Sequence, residues 1–195
     1  MTIAAVILAA GASRRFGAAN KLLADVGGEP LIARVVKRVA GTGCSRIVVV
    51  TAVRSGPIRA ALDGLPVTLV ANPAAARGMG TSIAAGIASL APDVSAALIV
   101  PGDMPNVSTA LIDALIAAFQ GSGSGRIVHA AARDGTQRNP VLWPRTYFSD
   151  LARLDGDHGG KSLLAAHRSD TLAVTVARDD ELIDVDTMDD LVRPD

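Results

Sequence analysis

The sequence predicts one α/β domain over residues 1–195, built on a mostly parallel, Rossmann-like sheet flanked by helices. Three observations carry that expectation. Short β-branched runs alternate with segments whose apolar residues recur at helical spacing. Runs such as Arg46-Ile47-Val48-Val49-Val50-Thr51 show no polar–apolar alternation, as expected of strands covered on both faces. A chain of 195 residues suffices for one full hydrophobic core without metal or disulfide staples.

The elements follow in order. Ile3 to Ala9 is an apolar run that reads as a buried strand, and Leu31, Val35, Val36 and Val39 mark a helix that ends near Gly41 and Gly43. Arg46 to Thr51 is a strand, Ile58 and Leu62 belong to a short helix, and Val67 to Ala71 is a third strand closed by Asn72-Pro73. Ile83, Ile87 and Leu90 lie on one helix face, Ala96 to Val100 is a fourth strand, and Leu111 to Phe119 form another helical stripe. Gly121-Ser122-Gly123-Ser124-Gly125 is a turn. Beyond it, Ile127 to Ala132, Pro140 to Trp143 and Leu172 to Val176 read as strands, with Leu163-Leu164 in a helix. In a parallel sheet with right-handed crossovers, ligands gather outside the carboxyl ends of the strands.

Two polar segments fall at such ends. The first strand runs into Ala10-Gly11-Ala12-Ser13-Arg14-Arg15-Phe16-Gly17, with Asn20-Lys21 just beyond. Glycines 11 and 17 let backbone N–H groups approach an anion, and Arg14, Arg15 and Lys21 bring positive charge, a combination suited to a nucleoside triphosphate. The loop lacks the Gly-Lys-Ser/Thr ending of a Walker A motif and is not Gly-x-Gly-x-x-Gly, which argues against a kinase or a dehydrogenase. The fourth strand runs into Pro101-Gly102-Asp103-Met104-Pro105, which fixes a hard oxygen ligand suited to Mg²⁺. Magnesium takes one or two carboxylates and fills its octahedron with water and substrate phosphates.

Composition narrows the partners. Nineteen basic and nineteen acidic residues cancel, so no global basic field draws nucleic acid, and an aromatic content of 3% leaves little for base stacking. Cys44 stands alone, which excludes an intramolecular disulfide and a thiolate cluster; it reads as a structural thiol of a cytoplasmic protein. No charged segment precedes the apolar N-terminal run, and no stretch approaches the ~18 apolar residues of a membrane span. The expectation is a protein with neither a nucleic-acid nor a membrane partner. His158 is read as a loop residue, and His129 and His167 have no metal-ligand spacing with it.

Leu8 to Gly17 with Lys21 resembles the Leu-Ala-Ala-Gly-x-Ser-x-Arg-x-Gly signature and following lysine of the nucleotidyltransferase superfamily. Residues 102 to 105 are similar to its Gly-Asp-x-Pro motif, and Asp184 to Leu191 to its Asp-Ile-Asp-Thr-Pro-Glu-Asp-Leu segment. Asn72-Pro73 with Gly78 to Ile83 resembles the Asn-Pro…Gly-Met-Ser-Ser-Ser-Leu element of molybdenum cofactor cytidylyltransferases. Arg138 to Val141 and Gly156 to Lys161 are similar to the same subfamily's Gly-Asn-Pro-Val and Gly-Asp-x-Gly-Ala-Arg elements. Here Gly80-Thr81 replaces two serines, Arg138 a glycine and Lys161 an arginine.

The resemblance implies a nucleotide-diphospho-sugar transferase-like fold. Residues 1–105 would hold the nucleotide, roughly, and 106–195 the acceptor. Leu8, Ala9, Ala10, Gly11, Ala12, Ser13, Arg14, Arg15, Lys21, Asn72, Gly78, Thr81 and Ser82 would contact the nucleotide, with Arg15, Lys21 and Asp103 catalytic. Asp103 and Asp186 would hold the metal, with Asp184 the alternative and a cap of the final helix an equally suitable role for Asp186 and Thr187. Asn139, Asp157 and Lys161 would face the acceptor.

The implied reaction moves a cytidylyl group from CTP to molybdopterin phosphate and releases pyrophosphate, with a molybdoenzyme or its maturation factor downstream. Guanylyl-transferring relatives typically carry a second glycine where this chain has Ala10, which favours cytosine. Two other readings remain open: transfer to a sugar phosphate or other phosphorylated small molecule, and a non-catalytic cofactor carrier associated with an oxidoreductase.

Overall fold

The computed structural model describes residues 1–11, 20–157, 159–185, 187 and 190. Ala12, Ser13, Arg14, Arg15, His158 and Asp186 lie outside the described residues. The strands are β1 (Thr2–Ala9), β2 (Arg46–Ala52), β3 (Thr68–Asn72), β4 (Val94–Pro101), β5 (Ile127–Ala131), β6 (Gln137–Pro144) and β7 (Thr171–Thr175). The helices are α1 (Leu31–Ala40), α2 (Gly56–Ala61), α3 (Met79–Ala88), α4 (Thr109–Gly121), α5 (Phe148–Leu151) and α6 (Lys161–Ala166).

One seven-stranded sheet runs in the order β3-β2-β1-β4-β6-β5-β7. The first four strands pair in parallel, and β7 lies parallel to β5. Between β4 and β5, β6 is antiparallel to both, so the sheet is mixed and mostly parallel. The expected strand from Pro140 to Trp143 is longer at its start: Gln137, Arg138 and Asn139 also belong to β6.

The missing alternation in the central strands has a simple cause, since both of their faces are dry. Ile3, Ala5 and Ile7 of β1 pack on one face with Val35 of α1 and Ile112 of α4, while Val6 packs on the other with Ile83 and Ile87 of α3. Each such branched side chain, removed from water, contributes roughly 1.5–3 kcal/mol. The edge strands differ from the expectation of full cover: β3 and β7 keep exposed or half-buried positions because no neighbour lies beyond them.

Local signals set the helix ends. Pro30 precedes α1, which closes at Gly41, whose N–H donates to the Lys37 carbonyl; Lys37 and Arg38 in the last turn complement the helix dipole. The Ser108 hydroxyl caps α4 by accepting the Leu111 N–H at 3.0 Å. Among the described residues no helix is long and apolar enough to cross a membrane.

Cys44 lies between α1 and β2, half-buried, and its N–H donates to the Thr42 hydroxyl at 3.3 Å. Burial pushes its thiol above the ordinary range, and the Asp113 carboxylate adds to that. Iodoacetamide at pH 8 should therefore alkylate Cys44 about an order of magnitude more slowly in the native protein than in the urea-unfolded chain. Equal rates would contradict the structural role.

Candidate functional site

Strand order reverses around β1: the chain adds β2 and β3 on one side and then returns to place β4 on the other. Crevices open at the carboxyl ends of strands where such a reversal occurs. Leu8 of β1 and Pro101 of β4 are register partners at that end, and both line each of two adjoining cavities.

The first cavity, of about 400 Å³, is walled by Ala10 and Gly11 after β1, Ala75 and Ala76 after β3, Gly78, Met79 and Ser82 at the start of α3, and Asp103 after β4. Asp103 is set there by Gly102. The Gly102 N–H donates to the Leu8 carbonyl at 2.9 Å, and a Cβ on residue 102 would stand 2.7 Å from the same oxygen. Only glycine lets the chain leave β4 this close to β1.

The Asp103 carboxylate pairs with the Lys21 ammonium at 2.6 Å, and the two side chains are 21% and 15% exposed. Lys21 also donates to the Val185 carbonyl at 2.8 Å, while the Val185 N–H donates to the Asp103 carbonyl at 2.9 Å. Three distant segments, around residues 21, 103 and 185, are thereby joined at one point. Lys21 itself opens a 3-10 turn, Lys21–Leu23, capped by the Asn20 side chain, which accepts the Leu22 N–H at 3.0 Å.

Asn72 and Thr81 lie behind the wall of this cavity, buried, and their polar groups are committed inside the protein. The Asn72 amide nitrogen donates to the Thr81 hydroxyl at 2.9 Å and to the Ser82 hydroxyl at 3.0 Å, and its oxygen accepts the Ala74 N–H at 2.9 Å. The Thr81 hydroxyl donates back to the carbonyls of Gly78 or Ala74, at 2.8 and 3.0 Å. Ser82 is bonded from behind and also borders the cavity. Ala9 faces the core beneath the sheet.

The second cavity, of about 360 Å³, has an apolar wall of Met79, Ile83, Trp143 and Leu164 and a polar rim of Gln137, Arg138, Asn139, Asp157 and Lys161. The structure thus brings Asn139, Asp157 and Lys161 together, and Asp157 borders both cavities. Asp184, weighed in the sequence as an alternative metal ligand, lines this second cavity together with Leu182.

The loop that carries Asp157 is pinned to the start of α3. The Gly80 N–H donates to the Gly156 carbonyl at 2.8 Å, and a Cβ on residue 80 would stand 2.8–2.9 Å from the backbone of Asp155. The position where the related motif carries serine therefore has no room here for any side chain. Arg77 forms an ion pair with Asp155, which holds that carboxyl below the usual carboxylate range, with the Gly156 N–H assisting.

Several wall residues gave no signal as polar chemistry. Met79, Trp143, Leu164 and Leu182 are apolar, and Gln137 precedes the apolar run that marks the strand, whereas Arg138 stood out only as a departure from the related motif. Among the described residues no group of three or more His, Cys, Asp or Glu side chains converges. The Asp103 carboxylate at the cavity wall fits a divalent ion that draws its remaining ligands from phosphates and water.

The buried amide network yields a prediction. Asn72→Ala removes three hydrogen bonds and should cost about 2 kcal/mol, lowering the thermal midpoint by roughly 5 °C. Calorimetry showing an unchanged midpoint would contradict the placement of Asn72 as an internal brace.

Comparison with known proteins agrees with this geometry. The chain is 31% identical over 110 residues to a probable molybdenum cofactor guanylyltransferase of Natronomonas pharaonis, a match covering 56% of this chain and 54%, about half, of that protein. The crystal structure of Rv0371c from Mycobacterium tuberculosis H37Rv superposes with a TM-score of 0.80 at 29% identity, covering 97% of this chain and 95% of that one. Its manganese complex gives 0.76 at 27% identity, covering 97% and 96%. A 4-diphosphocytidyl-2C-methyl-D-erythritol synthase from Anaerococcus prevotii, 17% identical with a TM-score of 0.75 over 98% of this chain and 93% of that one, shares the nucleotide-diphospho-sugar transferase-like fold. A model of the MobA-like NTP transferase domain matches residues 5–172, more than half of the chain, and the protein belongs to that family.

Proposed function

We propose that this protein transfers a cytidylyl group from CTP to molybdopterin phosphate in the presence of a divalent metal, releasing pyrophosphate. The observation that carries the reading is the pair of adjoining cavities at the carboxyl ends of β1 and β4, which share Leu8, Met79, Pro101 and Asp157. Two substrates seated there meet at a common wall, as a transfer between them requires. The relationship to a probable molybdenum cofactor guanylyltransferase supports the acceptor class.

In this reading CTP occupies the first cavity, with its phosphates toward the backbone of Ala10 and Gly11 and the segment holding Ala12, Ser13, Arg14 and Arg15. An oxygen of the acceptor phosphate attacks the α-phosphorus in line. The new P–O bond forms as the bond to the β-phosphate oxygen breaks, and pyrophosphate leaves with that electron pair. The attacking oxygen is already anionic, so no residue need act as a base.

The protein's task is to position two anions against each other and to offset the charge that gathers on the leaving group. We assign the second part to Lys21, which is bonded to Asp103 and to the Val185 carbonyl. A magnesium or manganese ion would be held by Asp103, with Asp186 as second carboxylate, and would supply Lewis-acid polarisation of the phosphates. Asn139, Asp157 and Lys161 orient the acceptor. Asn72 and Thr81 act through the wall: their hydrogen bonds fix the turn into α3 and so the positions of Gly78 and Ser82.

The guanylyl name of the relative makes GTP the competing donor. Ala10 is buried at the cavity wall, and in this reading a glycine there would leave the room that a larger base needs. Calorimetric titration of CTP and GTP with and without Mg²⁺, together with pyrophosphate release in the presence of molybdopterin phosphate, tests the proposal. Magnesium-dependent preference for CTP is expected, and Asp103→Ala should lower turnover at least about 100-fold. Ala10→Gly should shift preference toward GTP.

Preference of the wild type for GTP would replace the cytidylyl reading by guanylyl transfer. Release of pyrophosphate only with a sugar phosphate would replace the acceptor. Nucleotide binding without pyrophosphate release from any acceptor would leave a carrier.

A further inference from the structure

Among the described residues, two cations stand in the walls of the two cavities, Arg138 and Lys161, and both belong to the acceptor cavity. They come from different elements: Arg138 sits near the start of β6, and Lys161 opens α6. Neither makes a close ion-pair contact among the described residues, although Arg138 is near enough to the exposed Asp134 carboxylate that, after the hydrogen bonds from Thr136, its charge helps hold that carboxyl below the usual range. The Arg138 guanidinium makes one hydrogen bond, from Nη1 to the carbonyl of its neighbour Gln137 at 3.2 Å, which leaves most of its five donors for a ligand. Both side chains are exposed and line one cavity, so an anionic ligand seated there meets two positive charges.

The backbone holds both positions in place. Lys161 follows Gly160, where a Cβ would stand 3.0 Å from Cζ2 of the buried Trp143 indole, so the chain before Lys161 rests on that ring. Trp143 is itself in β6, five residues beyond Arg138 and paired with Ala97 of β4. The sheet therefore anchors the backbone of both residues beside one cavity. Two carboxylates, Asp157 and Asp184, line the same cavity, and Asp157 stands in the wall shared with the first cavity.

We propose that Arg138 and Lys161 form a two-point clamp for the phosphomonoester of the acceptor, with Arg138 supplying the forked contact that a lysine cannot make. The ligand class is a phosphomonoester whose uncharged body lies on Trp143, Met79 and Leu164. The proposal deepens the acceptor part of the function above and rests on it only for the identity of that body. Arg138 is then a binding residue of the reaction, and its absence would alter which acceptors are taken.

Trp143 is the single tryptophan of the chain and lines only the acceptor cavity of the two, so its fluorescence reports on this site without turnover. Inorganic phosphate, titrated at constant ionic strength, is the probe. A saturable change is expected in the wild type, with affinity falling about tenfold in Arg138→Ala and in Lys161→Ala, and Arg138→Lys retaining part of it. CTP affinity, measured by calorimetry, should not move in Arg138→Ala.

Unchanged phosphate affinity in both alanine variants, or no saturable signal in the wild type, would overturn the clamp even if pyrophosphate release establishes the transferase. A working clamp in a protein that releases no pyrophosphate would leave the clamp standing and remove the transferase reading instead.

Discussion

The reversal of strand order at β1 is the constraint on which the rest of the site depends. A parallel strand cannot be joined to its neighbour by a tight turn, so each connection must cross over the sheet, and the chain leaves a gap where the crossovers diverge. Here the gap lies between the ends of β1 and β4, at Leu8 and Pro101. The segments after both strands are forced into it, which is why residues 10, 11 and 103 share one cavity although about ninety positions separate them. The triangle of Lys21, Asp103 and Val185 then fastens a third segment over the same gap. Removing either charge would leave the other in a place of low exposure, so the pair is a structural tie before it is a chemical one.

A second constraint is the close docking of the loop 155–161 on α3. It explains the departure from serine at position 80, since the backbone of Asp155 occupies the space a side chain would need. It also gives Asp157 its place at the wall common to both cavities. The exposed Arg77–Asp155 pair adds little stability by itself, because such pairs are screened by solvent. Its contribution is directional: together with the hydrogen bond from Gly80 to Gly156, it fixes which side of the loop meets the helix.

The first half of the chain was legible because its grammar is local. β-branched runs, helical stripes and strand-end glycines each report on their own neighbourhood, and parallel pairing then decides where the polar ends collect. Asp103 and Lys21 could thus be placed from sequence, and the resemblance named Asn139, Asp157 and Lys161, which do share a cavity. What escaped was non-local. The antiparallel insertion of β6 brings the start of that strand, not its end, beside the carboxyl end of β4, so Gln137 and Arg138 reach the site against the rule used for parallel strands. Nor does sequence say whether a hydroxyl points inward. Thr81 has the residue type of a ligand contact, yet its partners are Asn72 and backbone carbonyls.

The placement of charge follows one pattern across the two cavities. The chain as a whole is neutral, so it offers no long-range attraction to a triphosphate, and recognition must be made at short range. Beside the first cavity Lys21 pairs with Asp103, which offsets the cost of holding both charges at low exposure. At the second cavity Arg138 and Lys161 are exposed, and water solvates their charges. In the proposed reaction this difference fits the order of demands: the nucleotide side must hold ions in a fixed geometry for chemistry, while the acceptor side must first attract an anion and then orient it.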